Sequence, residues 1–245
     1  MSPKVEAAGV RLAYRERGEG ESVLLVHGMA DDAGSWNDVA AALAGRARVI
    51  AYDRRGYGAS GAPDPYGRTT VQEQAEDAAA VLRALSAAPA VVCGRDLGAL
   101  VCLDLIQRHR GLVRAAVLIE PPLYPLVAGA NEALADERVR LEEALRAGGP
   151  GAAVAEFLGG ARADEQRLAR ATAAPTAFFA DYGGLASWPV SRRELRRLDV
   201  PLTVLTAAGS SPLAVRAADA LVELVPGARR AHGQSPWEAV AERLG

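Results

Sequence analysis

The chain has 245 residues, 50% hydrophobic and 24% charged, with a formal net charge of −2. That length suits one large α/β domain, or one domain carrying a small insertion, and the apolar content excludes a wholly disordered chain. A near-neutral balance gives no electrostatic reason to expect nucleic acid or an anionic membrane as partner. Cys93 and Cys102 both lie in apolar stretches, and two cysteines cannot build a disulfide framework. They read as buried free thiols in a reducing compartment. The N-terminal MSPKVEAAG lacks the apolar core of a signal peptide, and no apolar run reaches the roughly 18 residues of a membrane span. The expectation is a soluble, cytoplasmic protein, monomer or homodimer.

Val10 to Gly18 and Ser22 to Gly28 read as a strand pair joined at the turn signal GEGE. A helix-like stretch follows from Trp36 to Leu43, then a strand from Ala47 to Asp53. Thr70 to Leu85 carries apolar residues at helical spacing, with Thr69 or Thr70 as N-cap. Ala90 to Gly94 is a short continuous apolar run, as in a strand buried on both faces. A helix from Leu97 to His109 and a strand from Leu112 to Glu120 complete this half. Such alternation argues for a parallel sheet covered on both sides.

The rhythm then breaks. Between Pro121 and Pro189 there are only helical segments, split by AGGPGAA, PT and GG, with an amphipathic stretch from Asn131 to Arg146. The sheet pattern returns at Val200 to Gly209, followed by a helix from Pro212 to Leu224, the short run ARRAH and a terminal helix from Pro236 to Leu244. The expected division is a core of residues 1–121 and 190–245, with a helical cap over 122–189.

Gly94-Arg95-Asp96-Leu97-Gly98 follows an apolar strand and precedes a helix. This is the context of a G-x-S-x-G nucleophile elbow, with Asp in the place of Ser. His27-Gly28-Met29 ends an earlier strand, and Asp53-Arg54-Arg55-Gly56-Tyr57-Gly58-Ala59-Ser60 follows the next one. In this order and spacing the three segments resemble the α/β-hydrolase family over nearly the whole chain. The resemblance implies a mostly parallel sheet flanked by helices, with a helical cap. An aspartate at the elbow is similar to the epoxide hydrolase and haloalkane dehalogenase branch.

The chemistry agrees with that branch. A carboxylate is already ionised at pH 7 and needs no base to act as a nucleophile. On an ester carbonyl it would give a reactive anhydride, whereas on an sp³ carbon of an epoxide or halide it gives an ordinary ester that activated water can cleave. The alternative role for Asp96 is structural, as an N-cap typically worth about 1 kcal/mol over Ala.

The family's usual acid would fall in Ala208-Gly209-Ser210-Ser211-Pro212, which has no carboxylate. Some relatives carry it at the end of the preceding strand, which here is Glu120. Its alternative is a Glu satisfied by Arg or by backbone amides at the cap hinge. Among three histidines, His27 sits in the turn that the family uses for an oxyanion amide, and His109 closes a helix beside two arginines. His232, after the last short strand, lies where the family places its base. Relatives often read G-H-x-P where this chain reads Gly233-Gln234-Ser235-Pro236, so either the histidine has moved two residues earlier or Gln has replaced it. The resemblance assigns the oxyanion donors to the amides of Met29 and Leu97. Tyr124 and Tyr182 are candidate proton donors to an epoxide oxygen; Trp188 and Trp36 are candidate indole donors. Each aromatic has a packing alternative.

The resemblance implies that the Asp53-Arg54-Arg55-Gly56 loop braces the sheet edge and oxyanion turn through an Asp–Arg network. No metal-spaced Cys/His cluster or phosphate-cradling Gly motif occurs, and no cofactor is expected. Leu123, Leu126, Phe157, Phe178 and Phe179 suggest a hydrophobic small-molecule substrate. The leading expectation is an epoxide-hydrolase-like enzyme with Asp96, Glu120 and His232 as nucleophile, acid and base. The alternatives are haloalkane dehalogenation, non-covalent lyase, isomerase or cyclase chemistry on Asp96, and a catalytically silent binding protein.

Overall fold

The apolar runs of the sequence become the interior of one eight-stranded sheet. In the computed structural model, which describes residues 2–159, 165–185, 188–189 and 191–245, the strands are β1 (Lys4–Ala7), β2 (Val10–Arg17), β3 (Glu21–Val26), β4 (Ala47–Tyr52), β5 (Ala90–Arg95), β6 (Val113–Ile119), β7 (Leu202–Thr206) and β8 (Arg229–His232). Their order is β1-β2-β4-β3-β5-β6-β7-β8. β2 runs antiparallel to both β1 and β4, and every later pairing is parallel.

Side chains alternate between the two faces at the strand period of two. Leu24, Val26, Ile50 and Val92 join the core on one face, and Val23, Leu25, Val49 and Val91 the core on the other. The central strands are therefore apolar at nearly every position, as expected when helices cover both faces. One face takes α2 (Val71–Ala84), α3 (Leu97–Arg108) and α8 (Pro212–Leu224); the other takes α1 (Asn37–Leu43) and α9 (Pro236–Ala241). α2 starts where Thr70 accepts a hydrogen bond from the Glu73 amide at 3.0 Å, a cap typically worth about 1 kcal/mol.

Two details differ from the sequence reading. β2 and β3 are not partners, because β4 lies between them. The last four residues of β3 are buried, which demands neighbours on both edges, while β2 exposes Arg11 and its last three residues. The Gly18-Glu19-Gly20 segment is thus a crossing past the start of β4: a Cβ on Gly18 (φ 75°) would lie 2.3 Å from the Ala47 carbonyl oxygen. The sequence reading also missed β1, a four-residue edge strand in which Val5 alone is buried.

Between β6 and β7 the described residues form no strand. They fold as α4 (Ala130–Phe157), α5 (Glu165–Thr172), α6 (Pro175–Leu185) and the short α7 (Arg192–Leu195). α4 breaks at Gly149, whose φ of 76° and ψ of −170° leave the helix immediately before Pro150. In α6, Phe178 is fully buried and meets Phe157 and Phe179 at ring distances of 5.0 and 5.2 Å. The expected core boundary at residue 190 falls outside the described residues. Among the described residues no helix is long and apolar enough to cross a membrane.

Candidate active site

Asp96 stands on the turn between β5 and α3 with φ 51° and ψ −124°. Such a conformation costs a non-glycine residue on the order of 1–3 kcal/mol, and packing must hold it. The flanking glycines make that possible. A Cβ on Gly94 would lie 2.2 Å from the Gly98 carbonyl oxygen, and one on Gly98 would lie 2.2 Å from the Val26 carbonyl oxygen. The spacing of the motif is therefore a consequence of the strand, turn and helix passing within contact of each other.

The turn after β3 closes over the same point. The Met29 amide donates to Asp96 Oδ2 at 3.0 Å, and the Leu97 amide also favours the charged carboxylate. Burial pushes the Asp96 carboxyl up from its ordinary value; the two amides and Arg54 oppose that shift, and Asp181 adds to it. His27 holds the turn from beneath. Its Nδ1–H donates to the Gly28 carbonyl at 2.8 Å, and its Nε2 accepts the Arg54 backbone N–H at 2.9 Å. These partners fix a neutral tautomer, and burial, followed by the Arg54 charge, drives its pKa well down.

Arg54 joins this turn to the helical insertion. Its side chain donates to the carbonyls of His27 (2.9 Å) and Gly28 (2.8 Å), and also to the Asp181 carboxylate of α6. Asp181 further accepts from Tyr57 and from Gln74, each at 2.8 Å. Asp53 accepts from the amides of Ala33 and Ala59 at 2.9 and 2.8 Å. The loop is the brace that the sequence suggested, and it reaches further, into the insertion.

A cavity of about 700 Å³ opens above Asp96, with Glu120, Tyr124, Phe157, Arg95 and Gln234 in its wall. Glu120 has a positive φ of 48°, and its amide donates to the Leu205 carbonyl at 3.0 Å. Its Oε1 accepts from the Ser210 hydroxyl and from the Ala207 amide. Burial, with the nearby Asp96, Glu137 and Glu120 charges, raises the Tyr124 hydroxyl and keeps it protonated.

The other residues singled out in the sequence lie elsewhere. His232 is exposed at the end of β8, with Nδ1 3.3 Å from Thr206 Oγ1, and it is Gln234 that lines the cavity. The Trp188 indole donates to Asp104 Oδ1 at 2.9 Å, under α3. Trp36 is fully buried in the core beneath the Arg95 guanidinium, 4.8 Å from its carbon. Tyr182 stacks on Phe178 and is not in the cavity wall. Of the apolar residues expected to face substrate, Phe157 does so, while Leu123 and Phe178 are core. The reading from sequence missed Arg95 as a wall residue, although it sits inside the quoted elbow motif; Arg167 and the Ser210–Glu120 contact gave no local signal. Among the described residues, no three His, Cys, Asp or Glu gather where they could hold a metal.

A side chain held at a strained strand-to-helix turn, against an amide from a second strand end, is the elbow arrangement of an α/β-fold hydrolase. Residues 21–140 match the family described as alpha/beta hydrolase fold. The chain is 30% identical over 230 residues to the uncharacterized hydrolase YraK of Bacillus subtilis (strain 168), covering 89% of this chain and 83% of that one. The chain belongs to the α/β-hydrolase fold family. It is also 33% identical over 118 residues to bifunctional epoxide hydrolase 2 of Sus scrofa, but that match covers 48% of this chain and 21% of the relative. Among solved structures, a hydrolase from Pseudomonas aeruginosa PA01 superposes with a TM-score of 0.81 at 23% identity, covering 94% of this chain and 89% of that one; that likeness bears on the fold.

Proposed function

We propose that this chain is an epoxide-opening hydrolase in which Asp96 forms a covalent ester with substrate carbon, under a cap formed by residues 122–189. The observation that carries this reading is the Asp96 carboxylate itself: Oδ2 is held by the Met29 amide at 3.0 Å, and the side chain forms part of the cavity wall. In the first step the free oxygen of Asp96 attacks a ring carbon, the carbon–oxygen bond of the epoxide breaks, and the released oxygen takes the proton of Tyr124. In the second, water adds to the ester carbonyl. The negative charge develops on Oδ2, where the Met29 amide already points; the Leu97 amide also favours charge on this group, and one such donor typically contributes about 3 kcal/mol. The carbonyl re-forms as the alkoxide leaves and takes the remaining proton of the added water, Asp96 is regenerated as a carboxylate, and the proton that the base removed from the water returns to Tyr124.

Glu120 is the second carboxylate in the cavity wall beside Asp96, so in this reading it orients and deprotonates the hydrolytic water, with Ser210 fixing its rotamer. His232, bonded to Thr206, would have to leave that partner to serve as the base. A second reading, Asp96 as a non-covalent acid or base, is favoured by one observation: Gln234, and no histidine, faces the cavity.

The test is intact and peptide mass spectrometry of the Glu120→Gln and His232→Gln variants after exposure to aryl and alkyl epoxides. A stable ester mapped to Asp96 in either variant, and missing from Asp96→Asn, is the expected result. Turnover of an epoxide by the wild type, with no ester trapped in either variant, would transfer the reading to non-covalent catalysis.

A further inference from the structure

We propose that the end of the sheet opposite Asp96 carries a second binding site, for a small oligophosphate held by Arg196, Arg197, Arg229 and Arg243. The proposal does not depend on what Asp96 does. A cavity of about 560 Å³ lies there, walled by these four arginines, by Asp199 and by small apolar residues. That volume is in the range of roughly 300–1,000 Å³ typical of small-molecule sites. The strands β5 to β8 run parallel; Asp96 follows the end of β5, whereas Arg229 opens β8. The two cavities therefore lie at opposite ends of the strands. Three separate segments bring the arginines together: Arg196 and Arg197 follow α7, Arg229 opens β8, and Arg243 lies beyond α9. Arg229 pairs with Thr203 in the register of β7 and β8, and paired residues share a face of the sheet. Thr203 is buried, and its hydroxyl oxygen accepts from Nε and Nη2 of Arg243 at 2.9 and 2.7 Å. Arg243 is thereby held beside Arg229.

The carboxylates around the cavity are committed elsewhere. Asp199, the one acid in its wall, forms an ion pair with Arg110. Arg230, next to Arg229, has Asp219 at 2.8 Å. Glu194 shares the adjoining depression with Arg197 but does not line this cavity. Burial, followed by the Arg229 charge, lowers the Arg243 guanidinium; Glu242 opposes that shift, and its Oε1 accepts from Gln234 at 2.7 Å. Among the described residues no carboxylate forms an ion pair with any of the four arginines. A compact polyanion would offset this concentration of like charge. Guanidinium forks match phosphate oxygens through paired N–H groups, and several forks on one cavity suit a ligand with several phosphoryl groups. The described wall holds no aromatic side chain on which a nucleobase could stack, so the part recognised is the phosphate chain.

The test is calorimetric titration of the full chain with sodium tripolyphosphate at roughly 0.1 M salt, where charges beyond about 10 Å are largely screened. A saturable one-site isotherm is expected. The double variant Arg196→Gln/Arg197→Gln and, separately, Arg229→Gln should each weaken binding about tenfold or more, as charge-assisted hydrogen bonds are lost. Arg229→Lys should keep part of the affinity. Arg193→Gln, at an exposed arginine of α7 outside the cavity, should stay within about twofold, and so should Asp96→Asn. Thermal melting confirms that each variant folds, and either cavity variant alone decides the matter if the other does not. No saturable binding by the wild type overturns the proposal, as does affinity retained by the cavity variants. An equal loss in Arg193→Gln would reduce the site to diffuse surface charge, and a loss in Asp96→Asn would place the anion in the other cavity; each sinks the proposal. Tighter binding of a short DNA duplex through the same arginines would overturn it in favour of a nucleic-acid surface.

Discussion

Arg54 and Asp181 are 127 residues apart in the chain and meet through two hydrogen bonds, Nη1 to Oδ1 at 3.1 Å and Nη2 to Oδ2 at 2.8 Å, with both side chains buried. The same guanidinium carries the carbonyls of His27 and Gly28. The pair therefore couples the position of α6 to the turn that presents the Met29 amide. Asp181→Ala leaves the Arg54 charge buried without its counter-ion and should destabilise the fold by roughly 3–5 kcal/mol, measured by denaturant unfolding. Asp181→Asn keeps one acceptor and should cost less. A loss below about 1 kcal/mol for the alanine variant would mean the pair is not an anchor.

The elbow glycines set a steric limit. A Cβ at Gly98 would stand 2.2 Å from backbone oxygen that belongs to a central strand, and neither partner can swing away. Gly98→Ala should cost at least the roughly 1–3 kcal/mol of an overpacked core. Gly183→Ala, where nothing lies within 4 Å of the added methyl, is the control and should melt with the wild type.

Burial raises the Asp96 carboxyl, so the folded state disfavours its charge. The linkage sign follows: stability associated with protonated Asp96 is fully present below the ordinary aspartate range and is lost as pH rises through the raised folded value. Asp96→Asn should accordingly be more stable than wild type at pH 7, and the gap should close as pH falls to about 4. Thermal melts at paired pH values read this directly. A gap that widens on acidification would mean that the amides of Met29 and Leu97 outweigh burial.

His27 gives the opposite slope. Its pKa is driven down by burial, so the unfolded chain takes up a proton near pH 6.5 that the folded chain refuses. The stability it contributes is present above that pH and declines as pH falls below it. Nitrogen chemical shifts of the imidazole should show one tautomer, protonated on Nδ1, down to at least pH 5.5. Titration with a midpoint at the ordinary histidine value would contradict the bonds to Gly28 and Arg54.

The covalent reading also predicts where oxygen goes. After several turnovers in ¹⁸O water, label should enter the Asp96 side chain, since water attacks the ester carbonyl. Glu120→Gln should slow this exchange by roughly 10²–10⁴-fold, the usual contribution of a general base, and His232→Gln should leave it within about threefold. The reverse ranking would return the role of base to His232.

The parts of this site that rest on neighbouring residues were legible in the sequence. Gly94, Asp96 and Gly98 announce a tight strand-to-helix turn, because their spacing alone creates the close contacts. The terminal helix beginning at Pro236 and the cap at Thr70 were local in the same way. What the sequence left open was long-range register. Whether His232 or Gln234 reaches the cavity depends on where β8 stops, and two residues of difference decide it. Arg54 could be read as a brace, but its partner in α6 has no signature, since Asp181 resembles any aspartate on a helix. Arg95 was visible only as a spacer in the motif; its floor, Trp36, comes from a different layer of the fold. The pairing of β2 with β4 was hidden for a similar reason, as a turn signal such as GEGE says that the chain reverses and not which strand it will lie beside.

Cys93 and Cys102 bracket Asp96, one in β5 and one in α3, and they belong to the two different apolar cores on either side of the sheet. Burial raises both thiols, Cys93 to about 12, so neither forms the thiolate that a disulfide reagent needs while the fold is closed. Nature has thus placed a native chemical clock on each side of the elbow. Modification of one cysteine before the other would record which layer of helices lifts off first, with no probe introduced.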